Sequence, residues 1–326
     1  VTPRALSVDP LWPRTGDWPA PGAFPADARF DLALLGIPTW RTSLSQTGAG
    51  ETPAAVRAAL RYYSAYVTPD RGADRTGRER GGLGGRPGTE GASRNLADLA
   101  IVDAGDVTEP DGPEGEARAI AAMADAAARS TAVVALGGDN ALTVPASLGA
   151  WGADRSTAGL VTLDAHHDLR DGVSNGSPVR RLIEAGLDGN RVVQVGIADF
   201  ANSAEYSARA RDLGITVIHR DELHRRPIED VMAEAFELAG SAGGPIHVDL
   251  DVDVCDRSVA PGCPASVPGG ISAYELRKAA RAAGAHPSAR SLDLAEVDAT
   301  ADAPDGRTVR LTALCVLEFA AGLCAR

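Results

Sequence analysis

Eight short runs of uninterrupted apolar residues, separated by segments long enough for helices, constrain this 326-residue chain more than any other feature. They are FDLALLGIP near residue 30, LAIVDAGDV near 99, TAVVALGGD near 131, AGLVTLDAH near 158, RVVQVGIAD near 191, ITVIHR near 215, PIHVDLDVD near 245 and ARSLDLAEV near 289. A strand with one wet face alternates apolar and polar residues, whereas continuous apolarity means burial on both faces. Strands of that kind belong in a parallel sheet, with the intervening helices as crossovers, so the expected class is α/β. Helix candidates are TPAAVRAALRYYSAY, with Thr52 as N-cap and Pro53 in the first turn, GPEGEARAIAAMADAAARS, SAYELRKAARAAG and RTVRLTALCVLEFAAGLCA. Residues 68–95 break the rhythm: they are rich in glycine and arginine with almost nothing to bury, and read as a flexible insertion in a single domain spanning 1–326.

A hydrophobic fraction of 44% supplies a core for a chain of this size. The formal net charge of −12 argues against nucleic acid as a partner, because phosphate binding needs a concentrated basic surface. No apolar stretch approaches the roughly 18 residues of a membrane span, and no secretory signal opens the chain, so a cytoplasmic protein with no membrane partner is expected. Cys255, Cys263, Cys315 and Cys324 show no CxxC pairing and read as reduced core thiols.

Two of the eight runs end in acid clusters. In LVTLDAHHDLRDG, residues 160–172, strand alternation would put Asp164, His166 and Asp168 on one face and turn Ala165 and His167 away, leaving His167 a packing role. In HVDLDVDVCDRSVAPG, Asp249, Asp251 and Asp253 recur at spacing two, followed by Asp256. Open parallel sheets build sites at the carboxyl ends of their strands. Carboxylates crowded there would raise one another's pKa values unless a cation held them. An oxygen-rich, imidazole-poor, thiol-free donor set favours a hard or borderline divalent ion such as Mn²⁺ over zinc. Four carboxylates can hold two such ions with a bridging water, which points to metal-assisted hydrolysis without a serine or cysteine nucleophile.

GGDN at 137–140, DAHHD at 164–168, DVDVCD at 251–256 and EVDAT at 296–300 resemble, in order and spacing, the motifs of the ureohydrolase superfamily of arginases, agmatinases and formimidoylglutamases. The resemblance spans roughly residues 30–320 and implies a three-layer αβα fold with a mainly parallel eight-stranded sheet, a dinuclear manganese site and a homo-oligomer, trimer or hexamer. By the same resemblance Asp164, Asp168 and Asp251 serve the first metal or both, and His166 and Asp253 complete the second. The family's bridging hydroxide attacks a C=N carbon, with Asp168 and Glu296 as catalytic residues and Glu296 gripping the cationic nitrogens.

DLRDGVSNGSP, residues 168–178, resembles the DLR and SGTP pattern of formimidoylglutamases and lacks the histidine-glycine pair usual in arginases and agmatinases. The substrate so implied is N-formimidoyl-L-glutamate, a small acidic amidine of histidine degradation, cleaved to glutamate and formamide. Its carboxylates need donors, Arg180 first and Arg170 second; Asn175 and Ser177 of the same loop, with Glu296, are the further substrate-binding candidates. The alternatives are a urea-releasing hydrolase of agmatine, guanidinobutyrate or arginine, and a catalytically impaired member that binds a ligand. The last arises because Asn140 stands where the family's GGDH histidine ligand does, so the first metal is held loosely, or the site is mononuclear, or catalysis is lost. Asp249, where relatives commonly carry serine, either adds charge to the site or is a buried acid satisfied by backbone donors, and Arg257 replaces a usual proline without an evident reason.

Overall fold

The computed structural model describes residues 6–68 and 95–326, so the expected insertion at 68–95 lies, apart from its two end residues, outside the described residues. Each of the eight apolar runs forms a strand: β1 Phe30–Ile37, β2 Ile101–Asp106, β3 Ser130–Gly137, β4 Gly159–Leu163, β5 Val192–Ile197, β6 Thr216–His219, β7 Ile246–Asp251 and β8 Ala289–Ala295. They pair in parallel in one sheet of order β2-β1-β3-β8-β7-β4-β5-β6. Strands β3 to β5, β7 and β8 are buried almost throughout, which is why their sequences do not alternate.

The helices among the described residues are α1 Thr52–Leu60, α2 Gly112–Arg129, α3 Thr143–Trp151, α4 Pro178–Glu184, α5 Ala204–Asp212, α6 Arg220–Leu223, α7 Ile228–Ala239, α8 Ala273–Ala285 and α9 Arg307–Leu323. One sheet face packs on α1, α6, α7, α8 and α9 through Val56, Leu223, Met232, Leu276 and Phe319. The other packs on α2 to α5 through Met123, Ala146, Trp151, Leu182 and Ala210. The architecture is thus three-layered, αβα. None of the described helices is long and apolar enough to cross a membrane.

Helix α1 departs from expectation at both ends. Thr52 is its first residue rather than its cap, and its hydroxyl donates to the carbonyl of Val297 instead of to the helix end. The helix stops at Leu60 because the N–H groups of Tyr62 and Tyr63 close short turns onto Ala59 and Leu60, while the Tyr63 carbonyl accepts from Thr15. Helix α8 is closed by a capping box in which Ser272 and Glu275 satisfy each other's backbone N–H.

Strands β3 and β4 are consecutive in the chain yet separated in the sheet by β8 and β7. The carboxyl ends of β3, β8, β7 and β4 therefore sit side by side at the topological switch, where a crevice opens.

Helices α8 and α9 approach closely because each presents a glycine. A Cβ on Gly284 would fall 2.0 Å from the Phe319 carbonyl oxygen, and one on Gly322 would fall 2.3 Å from that of Arg281. Substituting Gly322→Val is expected to cost about 1–3 kcal/mol through overpacking. A urea titration should show a lower midpoint with an unchanged slope.

Candidate metal centre

The four central strands deliver their C-terminal residues to one place: Asn140 after β3, Glu296 after β8, Asp251 and Asp253 at the end of β7, and Asp164, His166 and Asp168 after β4. Strand alternation is not what aligns the last three, because β4 ends at Leu163. The chain turns instead, and Asp168 adopts a left-handed φ of 53° that brings its carboxylate back to the cluster. Glu296 does the same at φ 60°. Such backbone in a side-chain-bearing residue costs of order 1–3 kcal/mol and persists where surrounding bonds hold it. The Glu296 N–H donates to Gly138 at 3.0 Å, and the Asp168 carbonyl accepts from the Arg180 N–H at 3.3 Å.

Asp251 caps a single 3-10 turn, Val252–Val254, by accepting from the Asp253 N–H at 2.8 Å, which swings Asp253 toward β4. There Asp253 Oδ1 accepts from the Ala165 N–H at 2.8 Å and its Oδ2 lies 2.6 Å from His166 Nδ1. Asp164 Oδ1 accepts from the His166 N–H at 2.6 Å and lies 3.5 Å from Nδ1. Ligand atoms of Asp164, His166 and Asp253 all fall within 4.8 Å of one another.

Electrostatics show a cluster short of positive charge. Burial, reinforced by neighbouring acids, pushes Asp164 up to about 7 and holds Asp168 and Asp251 well above the usual carboxylate range. Burial alone would keep His166 neutral, but Asp253 and Asp164 push it up to about 12. Burial also opposes ionised Asp253, yet His166 beside it holds that carboxyl below its ordinary value. Buried oxygens drawn together in this way are the donor chemistry a hard or borderline divalent cation requires.

Asn140 presents its amide nitrogen to Asp168 Oδ2 at 2.6 Å, while its oxygen accepts from the Thr143 hydroxyl at 2.6 Å. In this arrangement it donates to a carboxylate instead of offering an oxygen to a cation. Turning the amide over would present the oxygen and leave Thr143, which can donate or accept, still paired. His167 turns away, with Nδ1 2.7 Å from Gln194 and Nε2 3.2 Å from Ser207. Asp256 also stays outside, capping Ser258 and Gly269.

Asp249 lies one layer deeper. It stands between Thr162 of β4 and Asp293 of β8 in register, and Gln194 of β5 continues the row. Backbone donors do not satisfy it: its Oδ1 has no partner among the described residues. Burial and then Asp293 hold it well above the usual range, toward the neutral acid. His247 supports the row by contacting Asp293 at 2.9 Å and Ser291 at 2.7 Å.

A cleft of about 510 Å³ opens above the cluster, lined by His166, Asp168, Asp251, Asp253 and Glu296 at its floor and by Arg170 and Asn175 on its wall. Glu296 Oε1 accepts from the Asn140 N–H at 2.8 Å and from Asn175 Nδ2 at 2.7 Å, and Oε2 accepts no hydrogen bond among the described residues. The exposed Arg170 guanidinium lies 6.0 Å from the Tyr206 ring centroid and makes no ion pair among the described residues.

Arg180, expected to hold the substrate's carboxylate, is not part of the cleft lining. Its guanidinium donates to the carbonyls of Arg170 and Gly172 and to Glu184, so it fastens the loop instead. Ser177 is fully buried and pairs with Ser174 inside the same loop. Sequence reasoning did not mark Leu44, Ser45, the Phe200–Ser203 segment, Tyr206 or Ala265, which also line the cleft. Most of these stand on loops without a motif. Arg257, left unexplained above, donates to the carbonyls of Cys263 and Pro264 and so braces the loop that carries Ala265.

The arginase family profile matches residues 30–322. The formimidoylglutamase of Halalkalibacterium halodurans is 31% identical over 302 residues, which is 90% of this chain and 87% of that one. The crystal structure of formimidoylglutamase from Bacillus subtilis superposes with a TM-score of 0.83 at 26% identity, covering 98% of this chain and 94% of that one. Trypanosoma cruzi formiminoglutamase with Mn²⁺ shares the fold at a TM-score of 0.76 and 24% identity, over 91% and 94% of the two chains.

The raised carboxyls set a pH dependence for protein stripped of divalent cations. A group whose folded pKa exceeds its unfolded value adds stability that is complete below the unfolded value and lost as pH rises through the folded one. With Asp164 and Asp139, the latter raised by burial and by Glu296, each at about 7, melting temperature should fall between about pH 4 and pH 7 in EDTA. Saturating Mn²⁺ should flatten that slope, as a calorimetric scan at each pH would show.

Proposed function

The chain belongs to the arginase family and is a hydrolase acting on amidino groups, and from that premise we propose that its substrate is N-formimidoyl-L-glutamate, cleaved to L-glutamate and formamide. The observation that carries the reading is the polarity of the cleft, with an acidic floor ending in a Glu296 oxygen and, on its wall, the Arg170 guanidinium, neither of them paired among the described residues. A small molecule cationic at one end and doubly carboxylated at the other is complementary to both.

The residues that would hold divalent cations, two Mn²⁺ in this reading, are Asp164, His166, Asp168, Asp251 and Asp253, with Asn140 as a weak sixth donor once its amide turns. Such cations, when bound, supply Lewis-acid polarisation and lower the pKa of a water. The remaining work falls to the chain's own groups. Glu296 offers Oε2 to the amidinium nitrogens and orients the C=N carbon above the floor, a carboxylate being the natural partner for that planar cation. Arg170 holds a carboxylate at the other end, and its place over Tyr206 limits its rotamers before substrate arrives.

Three measurements test this. Formimidoylglutamate, agmatine, arginine and guanidinobutyrate, each offered with Mn²⁺, should yield formamide from the first and no urea from the others; urea from any of them would reassign the substrate.

Replacing Arg170→Ala removes a charge-assisted bond of about 1.5–3 kcal/mol and should raise KM for formimidoylglutamate roughly ten- to hundredfold. An unchanged KM would place the carboxylate elsewhere.

Activity of the Asn140→His variant should saturate at lower free Mn²⁺ than the parent, because an imidazole nitrogen is a better donor than an amide oxygen. Superimposable activation curves would free position 140 from any part in metal affinity.

A further inference from the structure

We propose that Asn175 is the positioning residue for Glu296, and that the backbone N–H of Leu44 decides which way its amide faces. The inference rests on the reading above for the role of Glu296 and adds how that carboxylate is aimed.

An amide side chain has one acceptor end and one donor end, so fixing either fixes the other. The Leu44 N–H donates to Asn175 Oδ1 at 3.0 Å, which turns Nδ2 toward Glu296 Oε1 at 2.7 Å. The same Oε1 accepts from the Asn140 N–H at 2.8 Å. Two donors on one oxygen stop the carboxylate from rotating and leave Oε2 directed at the incoming ligand.

Asn175 is itself delivered rigidly. Ser174 and Ser177 close its loop through the Ser177 hydroxyl, and the Arg170 N–H donates to the Gly176 carbonyl at 2.9 Å. The tie to residue 44 crosses 131 positions of sequence. Leu44 contributes through its backbone, since its side chain remains 59% exposed. The sequence places Asn175 among the substrate-binding residues, but both ends of its amide are already engaged within the protein. Asn175 thus serves the amidinium end of the cleft, and Arg170 serves the carboxylate end alone.

The experiment uses Mn²⁺-supplemented parent, Asn175→Leu, Asn175→Ala and Leu44→Pro proteins, with metal content and melting temperature recorded for each. Calorimetric titration with formamidine probes the Glu296 end, and titration with L-glutamate probes the Arg170 end. Both Asn175 variants should lose at least tenfold in formamidine affinity while glutamate affinity stays within twofold. Their kcat for formimidoylglutamate should fall ten- to hundredfold with KM within about threefold. Leu44→Pro, which deletes the orienting N–H, should show the same pattern at threefold or more.

Weakened glutamate binding with intact formamidine binding would assign Asn175 to the carboxylate end and overturn the inference. So would unchanged affinities, equal losses of both probes with a lower melting temperature, or a parent that does not bind formamidine. If Leu44→Pro matches the parent, the orienting role of that N–H is lost. A parent that binds formamidine but hydrolyses nothing in the substrate panel would sink the functional reading, while the two titrations still decide Asn175.

Discussion

Burying negative charge at the ends of adjacent strands is the constraint on which the rest of this structure depends. Asp164, Asp168, Asp251, Asp253 and Glu296 are all nearly inaccessible to solvent, and at that depth each carboxylate penalises its neighbours. His166 relieves part of the repulsion by lying between Asp253 and Asp164, and backbone N–H groups of Ala165, His166 and Asp253 relieve more. What these donors leave uncompensated is the negative charge of the cluster. A centre of this kind is a store of unfavourable electrostatics that the hydrophobic layers on both sheet faces hold in place.

Holding the cluster requires a support beneath it. The row formed by Asp293, Asp249, Thr162 and Gln194 runs across four neighbouring strands one layer below the acid cluster. Its members are polar where an ordinary parallel sheet would be aliphatic, and Gln194 and His247 lock His167 and Asp293 in turn. Two residues at the strand exits, Asp168 and Glu296, accept left-handed backbone to aim their carboxylates, so local strain and charge repulsion coincide at the same spot. Both depend on bonds from distant segments, which is why the site is a property of the assembled sheet and of no single motif.

The cleft above reads as a division of labour between rigid floor and looped wall. Strand ends carry the acids, and the loops after β1, β4, β5 and β7 carry Leu44, Arg170, Phe200 and Ala265. One scaffold can therefore keep its hydrolytic chemistry while loop residues change which amidine is accepted. The Arg170 guanidinium over Tyr206, without an ion pair among the described residues, distinguishes this wall, whereas the half-buried Arg180 a short way along the chain is taken up by loop carbonyls and Glu184.

The sequence by itself determined the strands, the sheet type and the acids that gather at the strand ends. Continuous apolar runs and acid spacing are local signals: burial on both faces writes FDLALLGI or GLVTL directly, and a row of aspartates at a strand end has few structural uses. Tertiary structure alone decided which way each polar group faces. Asn140 turned its nitrogen to Asp168, Asn175 turned its own to Glu296, Thr52 bonded Val297 rather than its helix, and Arg180 closed a loop. Arg180 found its partners within ten positions, but the others were placed by partners remote in sequence: Leu44 lies 131 positions from Asn175, and Thr52 lies 245 from Val297. Hydrogen bonds are directional and saturable, so a side chain with several possible partners takes the one that folding brings nearest, and that is fixed only when strands distant in the chain become neighbours in the sheet.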